Sequence, residues 1–137
     1  MVRVEVIRKR LSKLDEYLAI LAGLRGYTFE EFVADPEHYG SAERFLQLAI
    51  EALTDLGNHV IADLQLGTVD WYSDIPRLLN EAGYIDLETR ENWIRMIGFR
   101  NVLVHDYLEV DRKLVYEVMQ ERLGDFEVLR GVFAALL

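Results

Sequence analysis

The stretch SAERFLQLAIEALTDLGNHVIADL, residues 41–64, decides the fold. Phe45, Leu48, Ala49, Ala52, Leu53, Leu56, Val60 and Leu64 recur at three- and four-residue steps, the period of a helix. Leu46, Ile50 and Ile61 add apolar groups on other sides, so this helix is wrapped by neighbours and central. Ser41 is placed to cap its start and Gly67 to stop it.

The segments on either side are helical too. Ile7, Leu11, Leu14, Leu18 and Leu21 lay one apolar stripe along a first helix, which Gly23 and Gly26 close. Thr28 with Glu31 has the form of a capping box and opens a short helix through Phe29, Phe32 and Val33, ended by Asp35-Pro36. Residues 73–82 predict another short helix with Pro76 in its first turn and Gly83 as its stop. Asp86 is placed to cap a helix through Trp93, Ile94, Met96, Ile97 and Phe99. Asp111 starts a last one through Leu114, Val115, Val118, Met119, Leu123, Phe126, Leu129 and Phe133. No stretch alternates with period two long enough for a strand, and there is no repeat, linker or low-complexity tract. The expectation is one all-α, up-and-down bundle of five to six helices spanning residues 1–137. Gly57, Gly98, Gly124 and Gly131 fall inside helices and mark either close contacts or local weak points.

Composition narrows the chemistry. Of 137 residues, 51% are hydrophobic, a globular proportion. There is no cysteine, which removes disulfides, thiolate nucleophiles and zinc-thiolate or iron–sulfur sites. Fifteen basic residues against 24 acidic leave a net charge of −9, which argues against coating nucleic acid through bulk charge. The first ten residues carry charges where an export signal needs an apolar core, and nothing approaches a membrane span, so the expectation is a cytoplasmic protein with no membrane contact.

The segment Phe99-Arg100-Asn101-Val102-Leu103-Val104-His105-Asp106-Tyr107 gathers a guanidinium, an amide, an imidazole and a phenol on a packed element. Asn101 and His105 are i and i+4 and share a helical face, whereas Arg100 and His105 stand about 140° apart around an ideal axis. Three routes would bring them to one phosphate: the helix loosens before His105, Arg100 reaches round, or two copies of the chain complete one cleft. A histidine moves protons near neutrality and an arginine holds phosphate oxygens, so the pair suits attack of an RNA 2′-hydroxyl on its own phosphate. That chemistry would spare DNA and need neither metal nor cofactor. Read blandly, Arg100 is an ion-pair partner, His105 a helix-end residue, Tyr107 a packing ring and Asp106 a turn residue.

Arg100 to Tyr107 resembles the R-x4-H-x-Y motif of the HepT-like toxins, members of the HEPN superfamily of all-α ribonucleases. The resemblance extends to the first-helix pattern, Thr28 to Phe32, Ser41 to Arg44 leading into Leu48 to Leu53, and Asn58-His59, nearly the whole chain. It implies a homodimer with the active cleft at the subunit interface and metal-independent endoribonuclease activity carried by Arg100 and His105. Asn101 and Asp106 would support catalysis or contact RNA. It further implies the toxin half of a type VII toxin–antitoxin pair, partnered by an MntA-type minimal nucleotidyltransferase that adenylylates Tyr107. An anionic adduct two residues from His105 would repel RNA phosphates. The alternative is a non-catalytic substrate-binding subunit of such a nucleotidyltransferase.

Other residues carry weaker expectations. Asp55 and His59, i and i+4, form a pair, and His59 reads mainly as a structural hydrogen-bonding residue; Asp55 or Asn58 would line a cleft. Arg3, Arg8, Lys9, Arg10 and Lys13 form a solvated basic face, with steering of RNA as a second reading. Trp71 and Tyr72 are candidates for base stacking, and Trp93 for the core.

Overall fold

In the computed structural model of the protein, seven α-helices pack without any strand among the described residues: α1 (Val4–Leu24), α2 (Phe29–Ala34), α3 (Pro36–Leu64), α4 (Asp74–Glu81), α5 (Leu87–His105), α6 (Arg112–Glu121) and α7 (Leu123–Ala134), with a 3₁₀ turn (Tyr107–Glu109) after α5. The structure describes all 137 residues apart from the side chain of Tyr107. Each of the six other α-helices touches α3, which is the central helix the apolar pattern requires. Ile7, Leu11, Leu14, Leu18 and Leu21 are all buried along α1, and Leu46, Ile50, Leu53, Leu56, Val60 and Ile61 are buried along α3.

The starts of the helices follow from local chemistry. Thr28 Oγ1 accepts from the Glu31 amide at 3.2 Å while Glu31 Oε1 accepts from the Thr28 amide at 2.9 Å, closing the capping box of α2. Asp86 caps α5 through the Thr89 amide at 2.8 Å, and Asp111 caps α6 through the Lys113 amide at 2.9 Å.

Two boundaries differ from the sequence reading. The central helix begins at Pro36 rather than near Ser41: the Asp35 carboxylate takes the Glu37 amide at 2.9 Å, and proline fits the first helical position because its missing N–H has no partner to lose. The last expected helix is two, broken at Arg122 (φ −115, ψ 2), so there are seven helices rather than five to six. The break lets Val115 and Met119 pack on one side of α3 while Phe126, Leu129 and Phe133 turn inward on another, between α1 and α5.

Gly57 is the glycine that packing requires. A Cβ there would lie 2.5 Å from Ile75 Cγ2 and 2.9 Å from Trp93 Cη2. Trp93 is fully buried and meets Phe133 edge-on at 6.0 Å between ring centroids. This close approach seats α4 and α5 on the middle of α3 and so fixes one side of the cleft described next. Gly98, Gly124 and Gly131 have open space around them.

Candidate functional site

The segment from Arg100 to His105 is the end of α5, and α5 stays helical through His105; the Asp106 amide still donates to the Val102 carbonyl at 2.9 Å. The helix therefore does not loosen before His105. Arg100 does not reach round either. It turns inward, with 16% of its side chain exposed, and its Nη2 lies 3.5 Å from Glu51 Oε1 on α3. Nη1 donates to Asn101 Oδ1 at 3.2 Å, and the guanidinium carbon stands 5.7 Å from the centroid of the Tyr72 ring. Nε is buried without a hydrogen-bond partner among the described residues. His105 is exposed at the other side of the helix end. One chain thus brings Arg100, Asn101, Glu51 and Tyr72 together, while His105 lies one turn beyond Asn101 on its exposed face, about 140° around the axis from Arg100.

Arg100 opens into a cleft of about 960 Å³ between α1, α3 and the connection before α4. Lys9, Arg10, Lys13 and Tyr17 of α1 form one wall, Glu51, Asp55 and Asn58 of α3 another, and Asp70, Trp71 and Tyr72 the third, with Ile75 and Ile97 beneath. Part of the basic face expected to be merely solvated is therefore a cleft wall. Arg3 and Arg8 belong elsewhere: Arg3 binds Asp63, with Nε 3.1 Å from each carboxylate oxygen, and Arg8 binds Glu5 at 2.7 Å.

Asp55 and Asn58 both line the cleft, and Asp55 is ion-paired to Arg10. His59 bridges structural groups: its Nε2 lies 3.7 Å from Asp55 Oδ1, and its Nδ1 is 3.2 Å from Arg3 Nη2. A guanidinium only donates, so Nδ1 is the acceptor in that contact. Asp106 ends α5 and is exposed; its carbonyl accepts from the Glu109 amide at 2.8 Å. The expected modification site, Tyr107, has its side chain outside the described residues. Glu51, which the sequence reading does not name as a site residue, stands with Asp55 and Asn58 at i, i+4 and i+7, a polar stripe between the buried apolar positions of α3.

The cleft's third wall is held by Asp74. Its Oδ2 accepts from the amides of Asp70 at 3.0 Å and Trp71 at 2.9 Å. The Trp71 and Asp70 amides hold the Asp74 carboxyl below the usual carboxylate range.

The chain is an all-helical bundle with an arginine in a partly basic cleft, and it belongs to the HepT-like ribonuclease family, whose pattern matches residues 7–130. The mRNA nuclease HepT of Shewanella oneidensis is 37% identical over 90 residues, 66% of this chain and 68% of that protein. The tRNA nuclease HepT of Aphanizomenon flos-aquae is 26% identical over 123 residues, 88% of this chain and 82% of that protein. Among solved structures, the tri-AMPylated HEPN toxin of Shewanella oneidensis in complex with MNT antitoxin superposes with a TM-score of 0.88 at 29% identity, covering 95% of this chain and 97% of that one.

Proposed function

We propose that this protein is the toxin of a toxin–antitoxin pair, an endoribonuclease whose Arg100 and His105 act together across a homodimer. The observation that carries the reading is the regular end of α5, which turns Arg100 into the cleft and leaves His105 exposed about 140° around the axis. A two-fold axis beside this helix end would bring each chain's histidine toward the other's arginine. Gly98, Asn101, Val102 and His105 form an exposed stripe at helical spacing, and the open space around Gly98 suits a close approach by a second α5.

In the reaction, one His105 takes the proton of the 2′-hydroxyl as that oxygen attacks the adjacent phosphorus. The other gives a proton to the departing 5′-oxygen, leaving a 2′,3′-cyclic phosphate and a 5′-hydroxyl. Arg100, already turned inward and braced by Asn101, meets the charge that develops on the phosphoryl oxygens. Glu51 holds the guanidinium until phosphate replaces it. Asp106 sits next to the histidine, where it supports or contacts RNA. This route uses no metal.

The partner is an MntA-type nucleotidyltransferase that adenylylates Tyr107. The AMPylated relative bound to its antitoxin supports that regulation. The test is cleavage of RNA by the purified protein in EDTA. His105→Ala and Arg100→Ala are each expected to lower the rate at least about a hundredfold. Undiminished cutting by His105→Ala, or strict dependence on Mg²⁺, would overturn the mechanism. Adduct formation with the partner and ATP, read by mass spectrometry, is expected in the wild type and lost in Tyr107→Phe.

A further inference from the structure

We propose that the cleft beside Arg100 binds one unpaired nucleotide of the RNA, its base stacked on Trp71 and its phosphate met by Lys9 and Lys13. This subsite rests on the ribonuclease reading and adds a determinant of which RNA is cut: the strand must offer a free base there.

Trp71 has 76% of its surface exposed and Tyr72 55%, while the only other tryptophan, Trp93, is fully buried. Two large adjacent rings at the rim of a cleft forgo burial that the chain achieves elsewhere. They also sit on a fixed support. Besides the two amides that Asp74 holds, the Asp74 amide donates to the Trp71 carbonyl at 2.9 Å and the Ile75 amide to the Tyr72 carbonyl at 3.1 Å. A base stacking on Trp71 therefore meets a ring whose backbone is already ordered, which lowers the entropy cost of binding.

The charges favour a phosphate. Four cations and three carboxylates line the cleft, in a chain whose net charge is −9. Glu51 is engaged with Arg100, and Asp55 with Arg10. Lys9 has no ion pair among the described residues, and the exposed Lys13 is held only by Glu16 at 3.3 Å. The two lysines are i and i+4 on α1, so they present ammonium groups on one face of the cleft. Tyr72, beneath the guanidinium, joins the stacking platform to Arg100. A cleft of about 960 Å³ has room for a nucleotide, lying at the upper end of the roughly 300–1,000 Å³ typical of ligand sites. Aromatic stacking accepts any base but demands that it be unpaired, so single strands are selected over duplex.

Because Trp93 is buried, fluorescence accessible to acrylamide reports on Trp71. The full-length protein is titrated with an uncleavable 2′-O-methyl RNA hexamer, single-stranded or as a duplex. The single strand is expected to change the emission and shield it from acrylamide, and the duplex to do neither. Trp71→Ala is expected to raise the Kd about tenfold, within the range of one lost base stack, and to raise KM for cleavage more than it lowers kcat. Trp71→Phe restores most of both. Lys13→Ala makes binding less salt-dependent.

An unchanged Kd and KM in Trp71→Ala, equal binding of duplex, or a Trp71 shielded from acrylamide before RNA is added overturns the subsite. So does a Trp71→Ala variant that binds RNA normally but loses its antitoxin, which would make the patch a protein-docking surface. The two readings fail separately. RNA cut normally by Trp71→Ala removes the subsite and leaves the ribonuclease. Trp71-dependent binding without any cleavage by the wild type removes the ribonuclease and leaves the site.

Discussion

Replacing Gly57 by alanine tests the packing that positions the cleft. The added Cβ would stand 2.5 Å from Ile75 Cγ2 and 2.9 and 3.3 Å from two atoms of the Trp93 ring, where carbon atoms rest at about 3.5–4.0 Å. Neither neighbour yields easily: Ile75 is β-branched and buried, and Trp93 is wedged on Phe133 with no exposed surface. Overpacking costs about 1–3 kcal/mol, and contacts of 2.5 and 2.9 Å against groups that do not yield put this one at about 2–3 kcal/mol, while exchanging glycine for alanine inside a helix returns about 1 kcal/mol. The net expectation is a loss of about 1–2 kcal/mol and a fall in Tm of roughly 3–8 °C for a chain of this size. Thermal unfolding followed by far-ultraviolet circular dichroism reads it. Gly131→Ala in α7, whose Cβ meets nothing within 4 Å, serves as the control and should leave Tm unchanged or higher. Ile75 also lines the cleft, so a shift of α4 should weaken RNA binding in Gly57→Ala as well. A Tm for Gly57→Ala equal to or above that of the wild type would refute the reasoning.

Acid should destabilise the fold. Backbone and side-chain hydrogen bonds from Thr28 lower the Glu31 carboxyl, the amides of Trp71 and Asp70 lower Asp74, Thr89 lowers Asp86, and Arg3 lowers Asp63. The native chain binds these protons less readily than the unfolded chain, so their contribution is complete above the ordinary carboxylate range and is lost as pH falls through the lowered native values. A urea midpoint that held constant or rose on acidification below about pH 4 would contradict this. Burial raises the Glu43 carboxyl, the opposite sign, so Glu43→Gln is expected to increase stability at neutral pH in the same assay. Tyr116→Phe removes the hydroxyl that donates to the Tyr27 carbonyl at 2.8 Å; a loss of about 1 kcal/mol in urea unfolding is expected, with RNA cleavage retained. Glu51→Gln keeps an acceptor beside Arg100 but removes the charge, so binding of uncleavable RNA should tighten and become more salt-dependent; weaker binding would show that the carboxylate itself is needed.

The charge of −9 takes on a narrower meaning once the cleft is seen. The proposed homodimer would double it, which works against a broad phosphate-tracking surface. A few cations gathered beside low-dielectric walls are enough to hold one phosphate, and their attraction is local and sensitive to salt.

Helix identity was legible because it depends on local period and on caps that touch neighbours in the chain. The stripe from Ile7 to Leu21, the Thr28–Glu31 box and the caps at Asp86 and Asp111 all stand where the sequence places them. The start of α3 differs from the sequence reading because Asp35 is at once the C-cap of α2 and, through the Glu37 amide, the N-cap of α3, so the same local signal serves as a stop and as a start. The break at Arg122 carries no local signal beyond Gly124; it follows from two helices having to cover different sides of α3.

The same division runs through the site. By itself the sequence determined the all-α class and the segment carrying Arg100, Asn101 and His105, along with the angle of about 140° that keeps arginine and histidine apart on a regular helix. Only the tertiary structure decided that the helix stays regular, that Arg100 turns in to Glu51 and Tyr72, and that Lys9 and Lys13 face Trp71 across a cleft. Those contacts join α1, α3, α5 and the approach to α4, residues far apart in the chain, and helical period reaches only a turn or two.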